Sequence, residues 1–245
     1  MEPPEVILEN SDAVYDYYLA HKQNWLRAQA SYAILGFKYR PRIEYREGAK
    51  AKLKELVKSN SRIIVAVNHL STSDPYTVAA MAARSPLRPT IGKSRVLAKD
   101  ELFEEPEQRG KVDMMGGIPV FRGKNHGIRA VNAAGQRMMD ICAERMARGD
   151  DLAVFPEGTC NLEDPTKVQP VGSGIGHIAA RAMKLGVKPT FVYIGLSYGP
   201  KQETFKSASF FIDTPNSDLP ARPLDITREV ARGMQVALDE AVARY

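Results

Sequence analysis

The sequence predicts an α/β fold: one domain with a mostly parallel central sheet flanked by helices, preceded by an N-terminal helical segment. Three observations predict it. Short apolar runs such as Ile63-Ile64-Val65-Ala66-Val67 and Leu152-Ala153-Val154-Phe155 are continuous rather than alternating, as strands covered on both faces require. Those runs alternate with longer stretches of helical periodicity. No internal repeat, low-complexity tract or linker interrupts the 245 residues, a length ordinary for one α/β domain with a single substantial core. Residues 1–42 are read as the helical segment and residues 43–245 as the domain that carries the chemistry.

Taken in order, about Ser11 to Arg40 is helical in pattern and rich in rings: Tyr15, Tyr17, Tyr18, Trp25, Tyr32, Phe37 and Tyr39, with His21, Lys22, Arg27, Lys38 and Arg40 between them. Rings and cations together suit a bilayer interface, where rings sit at headgroup depth and cations meet lipid phosphates. The same rings could instead pack into the core, and the two readings are compatible. A short charged helix at Lys50 to Ser59 feeds the strand at 62–67, and a helix follows at about Asp74 to Arg84. A short strand is expected near Pro89-Thr90-Ile91-Gly92, then short helices across the polar stretch Leu97 to Val112. A strand at Ile118 to Phe121 leads into a long helix at about Ile128 to Arg148, and Leu152 to Phe155 is a strand ended by Pro156. A glycine-punctuated loop then runs to a helix at Ile175 to Leu185, with strands at Phe191 to Gly195 and Phe205 to Ile212. The last helix starts behind Asp225, with Ile226, Val230, Met234 and Leu238 on one face.

Composition narrows the partners. A net charge of +5 calls for something anionic: nucleic acid, anionic lipid or an acidic carrier protein. The basic residues form no blocks, and no zinc-finger or aromatic RNA-binding pattern is present, so nucleic acid is not the expected partner. Cys142 and Cys160 offer neither a disulfide framework nor metal-ligand spacing, which suits a reducing compartment. The acidic start, Met1-Glu2-Pro3-Pro4-Glu5, does not read as a signal peptide. No uncharged run approaches the roughly 18 residues that span a bilayer. The expectation is a cytoplasmic protein bound peripherally to a membrane. His21, His126 and His177 lack metal-ligand company and read as structural.

The chemistry starts at Asn68-His69-Leu70-Ser71-Thr72-Ser73-Asp74, directly after an apolar strand. A histidine at a strand end reaches a cleft, and an aspartate at the start of the next helix can fold back to fix its tautomer. That pair is the minimum for removing a proton from a hydroxyl. Alternatively, Asp74 caps the helix through Pro75 and His69 is polar filling. Two further strand ends carry chemistry, Gly116-Gly117-Ile118-Pro119-Val120-Phe121-Arg122 and Phe155-Pro156-Glu157-Gly158-Thr159. In a parallel sheet these ends face one side, beyond the carboxyl ends of the strands. Arg122 suits a phosphate because its fork donates bidentately, though a surface salt bridge would serve equally well for arginine there.

His69-x4-Asp74, Gly116-x-x-Pro119-Val120-x-Arg122 and Phe155-Pro156-Glu157-Gly158-Thr159 resemble, in order and spacing, three motifs of the glycerolipid acyltransferases. That family includes the 1-acylglycerol-3-phosphate and glycerol-3-phosphate acyltransferases. Ala98-Lys99-Asp100-Glu101-Leu102-Phe103 looks like the family's Lys-x-Glu-Leu element, and Val187-Lys188-Pro189-Thr190-Phe191-Val192 is a weaker match to its fourth motif. The resemblance covers roughly residues 60 to 200. It implies that His69 deprotonates an acceptor hydroxyl with Asp74 orienting it, and that the oxygen attacks an acyl thioester directly. Acyl-CoA or acyl-carrier protein would be co-substrate, with no cofactor. The acceptor would be a lipid met at an anionic membrane surface. Arg122, Glu157 and Gly158, with Thr159, would line the acceptor site. Lys99 would stabilise the thioester oxyanion or a donor phosphate, unless it is a solvated helix lysine.

Direct attack fits the lack of a nucleophile elbow, since Val171-Gly172-Ser173-Gly174-Ile175 lacks the Gly-x-Ser-x-Gly spacing. The neighbouring glycines also miss the final glycine of a dinucleotide fingerprint. The pattern is broken at Cys160, where many family members have arginine or serine. An acceptor phosphate would then rest more on Arg122, with Lys124 or Arg129, and acceptors without glycerol phosphate, such as an aminolipid or glycolipid, enter. No catalytic role is expected for Cys160, because no histidine adjoins it in sequence and His69 already has a role. A catalytically idle lipid-binding module is the alternative from another class. The joint presence of His69, Asp74, Arg122 and Glu157 argues against it.

Overall fold

The structure is a computed structural model that describes residues 3–200 and 207–245. Among these, seven strands form one sheet: β1 (Arg42–Tyr45), β2 (Arg62–Val67), β3 (Ser94–Lys99), β4 (Gly117–Val120), β5 (Asp151–Val154), β6 (Pro189–Ser197) and β7 (Ser209–Ile212). Their order is β1-β7-β6-β2-β5-β3-β4. The five strands from β6 to β4 are mutually parallel, whereas β7 runs antiparallel to β6 and carries β1 parallel to itself at the far edge. The expected mostly parallel α/β architecture is therefore present. All five parallel strands end on one side, and the motif residues follow those ends.

The continuous apolar runs have a direct cause. Along β2, Ile64 and Ala66 enter one core while Ile63, Val65 and Val67 enter the other. The first core is completed by α1 (Ser11–Ala20), α7 (Asn132–Ala147), α8 (Gly174–Lys184) and α9 (Pro223–Ala243). The second is closed by α3 (Ala49–Lys58) and α4 (Asp74–Ala83). A strand with no solvent face tolerates no polar alternation. Each buried branched side chain contributes about 1.5–3 kcal/mol.

Two expectations on local structure are corrected. Residues 89–92 do not form a strand: Arg88–Thr90 is a short 3-10 turn, and Gly92 sits at φ 92° against Trp25. Pro89 and Gly92 are turn residues here, and the strand begins two residues later as β3. It takes in Leu97, Ala98 and Lys99, which were expected in short helices. Helical structure starts only beyond it, at the 3-10 turn Asp100–Phe103 and α5 (Pro106–Met114). Lys99 thus stands at a strand end. β1 was not expected at all. The strand expected at 205–212 is observed as Ser209–Ile212, and residues 205 and 206 lie outside the described residues.

The two N-terminal helices use their rings differently. In α1, Tyr15 and Tyr18 are buried, and their hydroxyls donate to Pro119 O at 3.1 Å and Asp113 Oδ1 at 2.9 Å. In α2 (Trp25–Tyr39), Ala28, Tyr32 and Gly36 face α4, while Leu26, Ile34 and Phe37 are about 70% exposed on the opposite face. Among the described residues, no helix is long and apolar enough to cross a membrane.

Candidate active site

Beyond β2 the chain is first fastened by Asn68, whose amide donates to Leu196 O at 3.0 Å and accepts from Leu196 N at 2.7 Å. This clasp to β6 sets where His69 leaves the sheet. Asp74, the first residue of α4, is fully buried and turned back toward β2. Its Oδ2 accepts from His69 Nδ1 at 2.9 Å, Leu70 N at 2.6 Å and Ser71 N at 2.8 Å, and its Oδ1 accepts from Tyr198 Oη at 2.7 Å. A buried carboxylate needs such compensation, and four donors supply it. No side-chain cap bond forms at the helix start, so the fold-back reading holds over the helix-cap reading. With Nδ1–H committed to Asp74, the ring's lone pair lies on Nε2, on the side away from Asp74. The imidazole is stacked on Phe155, ring centroids 4.3 Å apart.

Tyr198 was invisible to sequence reasoning. It follows β6, 124 residues from Asp74, and also donates to Thr77 Oγ1 at 3.2 Å. Burial, then the negative charge of Asp74, raise its pKa, so it remains a donor. Its placement after a wholly buried strand is the signal that could have found it.

Glu157, after β5, is also buried. Its Oε1 accepts from His69 N at 2.7 Å and its Oε2 from Gln169 N at 2.8 Å. Burial raises its carboxyl pKa, and these N–H groups oppose the rise. The carboxylate assigned to the acceptor site by resemblance is thus occupied with bracing the histidine against the loop beyond β5. Gly158 makes that turn at φ 70°, in the left-handed region, and is exposed along with Thr159, whose carbonyl accepts from Gln169 Nε2 at 3.2 Å.

Cys160 stands beside the histidine, although no histidine adjoins it in sequence. Its Sγ lies 3.5 Å from His69 Nε2, although 91 residues separate the two in sequence. Asn161 N donates to His69 O at 2.6 Å, which holds the cysteine beside the ring. Burial raises the thiol pKa, Asp74 adds to the rise, and Lys99 opposes it.

Arg122 sits apart from these contacts, at the β3–β4 ends. Its Nη2 donates to Glu101 Oε1 at 2.6 Å, as does Asn125 Nδ2 at 2.6 Å, and His126 Nε2 pairs with Asp100 Oδ2 at 2.6 Å. Burial alone would raise the Glu101 carboxyl, but hydrogen bonds from its own backbone N–H, Asn125 and Arg122 outweigh it and hold the pKa at about 2. Arg122 Nε, Glu101 Oε2 and Asp100 Oδ1 are buried with no partner among the described residues. Gly116, opening this motif, lets β4 approach β3 closely: a Cβ there would stand 2.4 Å from Ser94 O. The structure thus joins His69, Asp74, Glu157 and Cys160 by direct contact, and joins Arg122 to Glu101. No cluster of three or more His, Cys, Asp or Glu side chains able to hold a metal exists among the described residues.

An imidazole oriented by a buried carboxylate thus stands at the carboxyl edge of the parallel sheet. The profile of the acyltransferase family matches residues 49–195, more than half of the chain, and the chain belongs to that family. It is an acyltransferase. Among solved structures, the fold resembles the crystal structure of the 1-acyl-sn-glycerophosphate (LPA) acyltransferase PlsC from Thermotoga maritima. The TM-score is 0.58 at 17% identity, over 96% of this chain and 83% of that one. At that identity the likeness is one of fold. Comparison with curated proteins finds no match.

Proposed function

We propose that this acyltransferase moves a fatty acyl group from an acyl thioester, acyl-CoA or acyl-carrier protein, to a hydroxyl of a glycerolipid precursor such as 1-acylglycerol 3-phosphate. The observation that carries the reading is His69, held by Asp74 through Nδ1, which leaves Nε2, beside Cys160 Sγ, as the nitrogen to take a proton. His69 takes the acceptor proton as the oxygen attacks the thioester carbonyl. The same proton then goes to the departing thiolate, so donor and acceptor leave as thiol and ester. Lys99, the last residue of β3, would meet the oxyanion or a donor phosphate. Arg122 supplies the phosphate contact, through a guanidinium whose Nε is buried and unpartnered.

The acceptor is met at a membrane surface. Support comes from α2, whose exposed apolar face of Leu26, Ile34 and Phe37 is bordered by Arg27 and Lys38. Such a face sinks into the headgroup boundary, with about 1 kcal/mol per basic residue near an anionic surface. Replacing Leu26, Ile34 and Phe37 together by serine should weaken binding to anionic vesicles and leave turnover on a short-chain soluble acceptor unchanged.

A second reading replaces the glycerol phosphate by another amphiphile. Two observations favour it: Arg122 is already paired with Glu101, and cysteine follows Glu157-Gly158-Thr159. Purified protein incubated with palmitoyl-CoA and 1-acylglycerol 3-phosphate should release free thiol and form the diacyl product. Thiol release with only a phosphate-free acceptor selects the second reading, and none with either overturns both.

A further inference from the structure

A second histidine–aspartate pair stands at the β3–β4 ends, and the reaction as described leaves it unused. His126 closes α6 (Gly123–His126), one turn beyond Arg122, and its backbone N–H donates to Arg122 O at 3.1 Å. The two side chains are tied to successive carboxylates: Arg122 Nη2 to Glu101 Oε1 and His126 Nε2 to Asp100 Oδ2, both at 2.6 Å. Guanidinium and imidazole therefore stand side by side. Asp100 is buried, its Oδ1 has no partner, and among the described residues the ring is its one hydrogen-bond donor. A buried carboxylate with so little other compensation holds the imidazole in place as a donor. The Phe121 ring, at 79° to the imidazole with centroids 5.8 Å apart, backs it from the inner side. His126 itself is exposed, and its Nδ1 has no partner among the described residues.

We propose that His126, as an imidazolium oriented by Asp100, is a specificity-determining residue that donates through Nδ1 to the acceptor's phosphate beside Arg122. The inference rests on the reading of the protein as an acyltransferase with a phosphate-bearing acceptor. A carboxylate only accepts, so Nε2 carries the N–H shared with Asp100, and a neutral ring would turn a lone pair at Nδ1 toward the anion. Only the charged ring donates at both nitrogens. Asp100 on one side and the phosphate on the other together favour that charged form. Two carboxylates beside Arg122 would also repel a phosphate held by the arginine alone, and a second cation balances them. The other charged groups near the ring are Lys99, at the end of β3, and Lys124 and Arg129, in the exposed stretch after β4. Tyr15 of α1 stands behind Phe121, and burial raises its pKa, so it adds no charge.

The test measures the acceptor KM of the full chain between about pH 5 and pH 8, by thiol release from palmitoyl-CoA with 1-acylglycerol 3-phosphate. His126→Gln keeps an N–H for Asp100 and removes the charge. At the acid end its acceptor KM should be about tenfold or more above wild type, the loss of one charge-assisted hydrogen bond. The turnover number and the palmitoyl-CoA KM should change much less. The ratio of the two acceptor KM values should fall toward one as pH rises and the wild-type ring gives up its proton. His126→Lys stays charged throughout, so it should keep acceptor affinity and lose the change with pH. Should His126→Gln fail to fold, wild type against His126→Lys still reads that change. A His126→Gln acceptor KM within about twofold of wild type at the acid end overturns the proposal. So does a KM ratio that does not vary with pH, which makes the pair a structural tie. A wild type that acylates only 1-acylglycerol, the same acceptor without its phosphate, overturns it too, and acyl transfer then stands. A wild type that releases no thiol with either acceptor defeats the underlying reading instead.

Discussion

The two halves of the site are finished to different degrees. At the β2–β5–β6 ends every polar group that positions His69 has a protein partner: four donors on Asp74, two on Glu157, and a paired amide at Asn68. At the β3–β4 ends, three buried polar atoms, Arg122 Nε, Glu101 Oε2 and Asp100 Oδ1, have none among the described residues. A buried donor or acceptor left unpaired costs about 1–3 kcal/mol, so the second half is strained in a way that a ligand can relieve. The first half holds its histidine with every partner already in place, and the second keeps polar atoms that a ligand could pair. Preorganisation belongs where charge moves, and unsatisfied polarity belongs where binding happens.

The largest effect that would break this comparison lies in the finished half. His69→Ala should lower turnover about 10²–10⁴-fold with the fold intact, as expected for loss of a positioned base, and steady-state thiol release reads it directly. Asp74→Asn should act on rate more than on acceptor affinity. Near wild-type turnover in either variant would remove the base assignment.

In the unfinished half, Arg122→Ala removes a charge-assisted contact worth about 1.5–3 kcal/mol, or about 10–150-fold in affinity. The acceptor KM should rise by that factor, with the donor KM much less affected. Equal effects on both constants would make Arg122 a structural ion pair. An effect that disappears with a phosphate-free acceptor would mark the substrate class.

Tyr198→Phe tests whether the finished half is truly complete. It strips one donor from the buried Asp74 and should lower kcat on the order of tenfold, about 1.4 kcal/mol, without changing either KM. An unchanged kcat would show that the three remaining donors already hold the carboxylate.

The smallest effect is in stability, where the two halves should respond to acid with opposite sign. Burial raises Glu157 above its usual 4.5, so the folded protein holds that proton longer than the unfolded chain. Its contribution should therefore fall as pH rises through the window just above 4.5. Glu101 is held at about 2 against a usual 4.5, so its contribution should rise between those values and stay flat above them. Urea midpoints of wild type against Glu157→Gln and Glu101→Gln, followed with pH, read the two slopes. Slopes of the same sign would mean that the halves do not differ in this respect.

Much of this arrangement is legible in the chain, for physical reasons that also explain the failures. β2, β5 and β6 are buried on both faces, and an unbroken apolar run is the direct signature of that environment. β3 hides because it carries Arg95, buried and paired with Asp150 at 2.6 Å. A charge satisfied from distant sequence looks like a loop residue until its partner is seen. β1 is four residues at an edge, with too little apolar pattern to register. His69 and Asp74 are close in sequence, so their pairing was readable. Tyr198 and Cys160 reach the same groups from 124 and 91 residues away in sequence, and no local pattern records such contacts.

The edge pairing of β1 with β7 has a consequence for how the protein is made. Arg42 lies beside Ser209, so β1 must wait for a strand synthesised 167 residues later. Until then its backbone donors and acceptors stay exposed, as an edge open to other chains. The core strands can assemble while the ribosome is still elongating, whereas this margin can close only after Ser209–Ile212 has been made. Slowed elongation, or a ribosome stalled before Ser209, should expose this margin to chaperones and to aggregation even when His69 and Asp74 upstream are already in place.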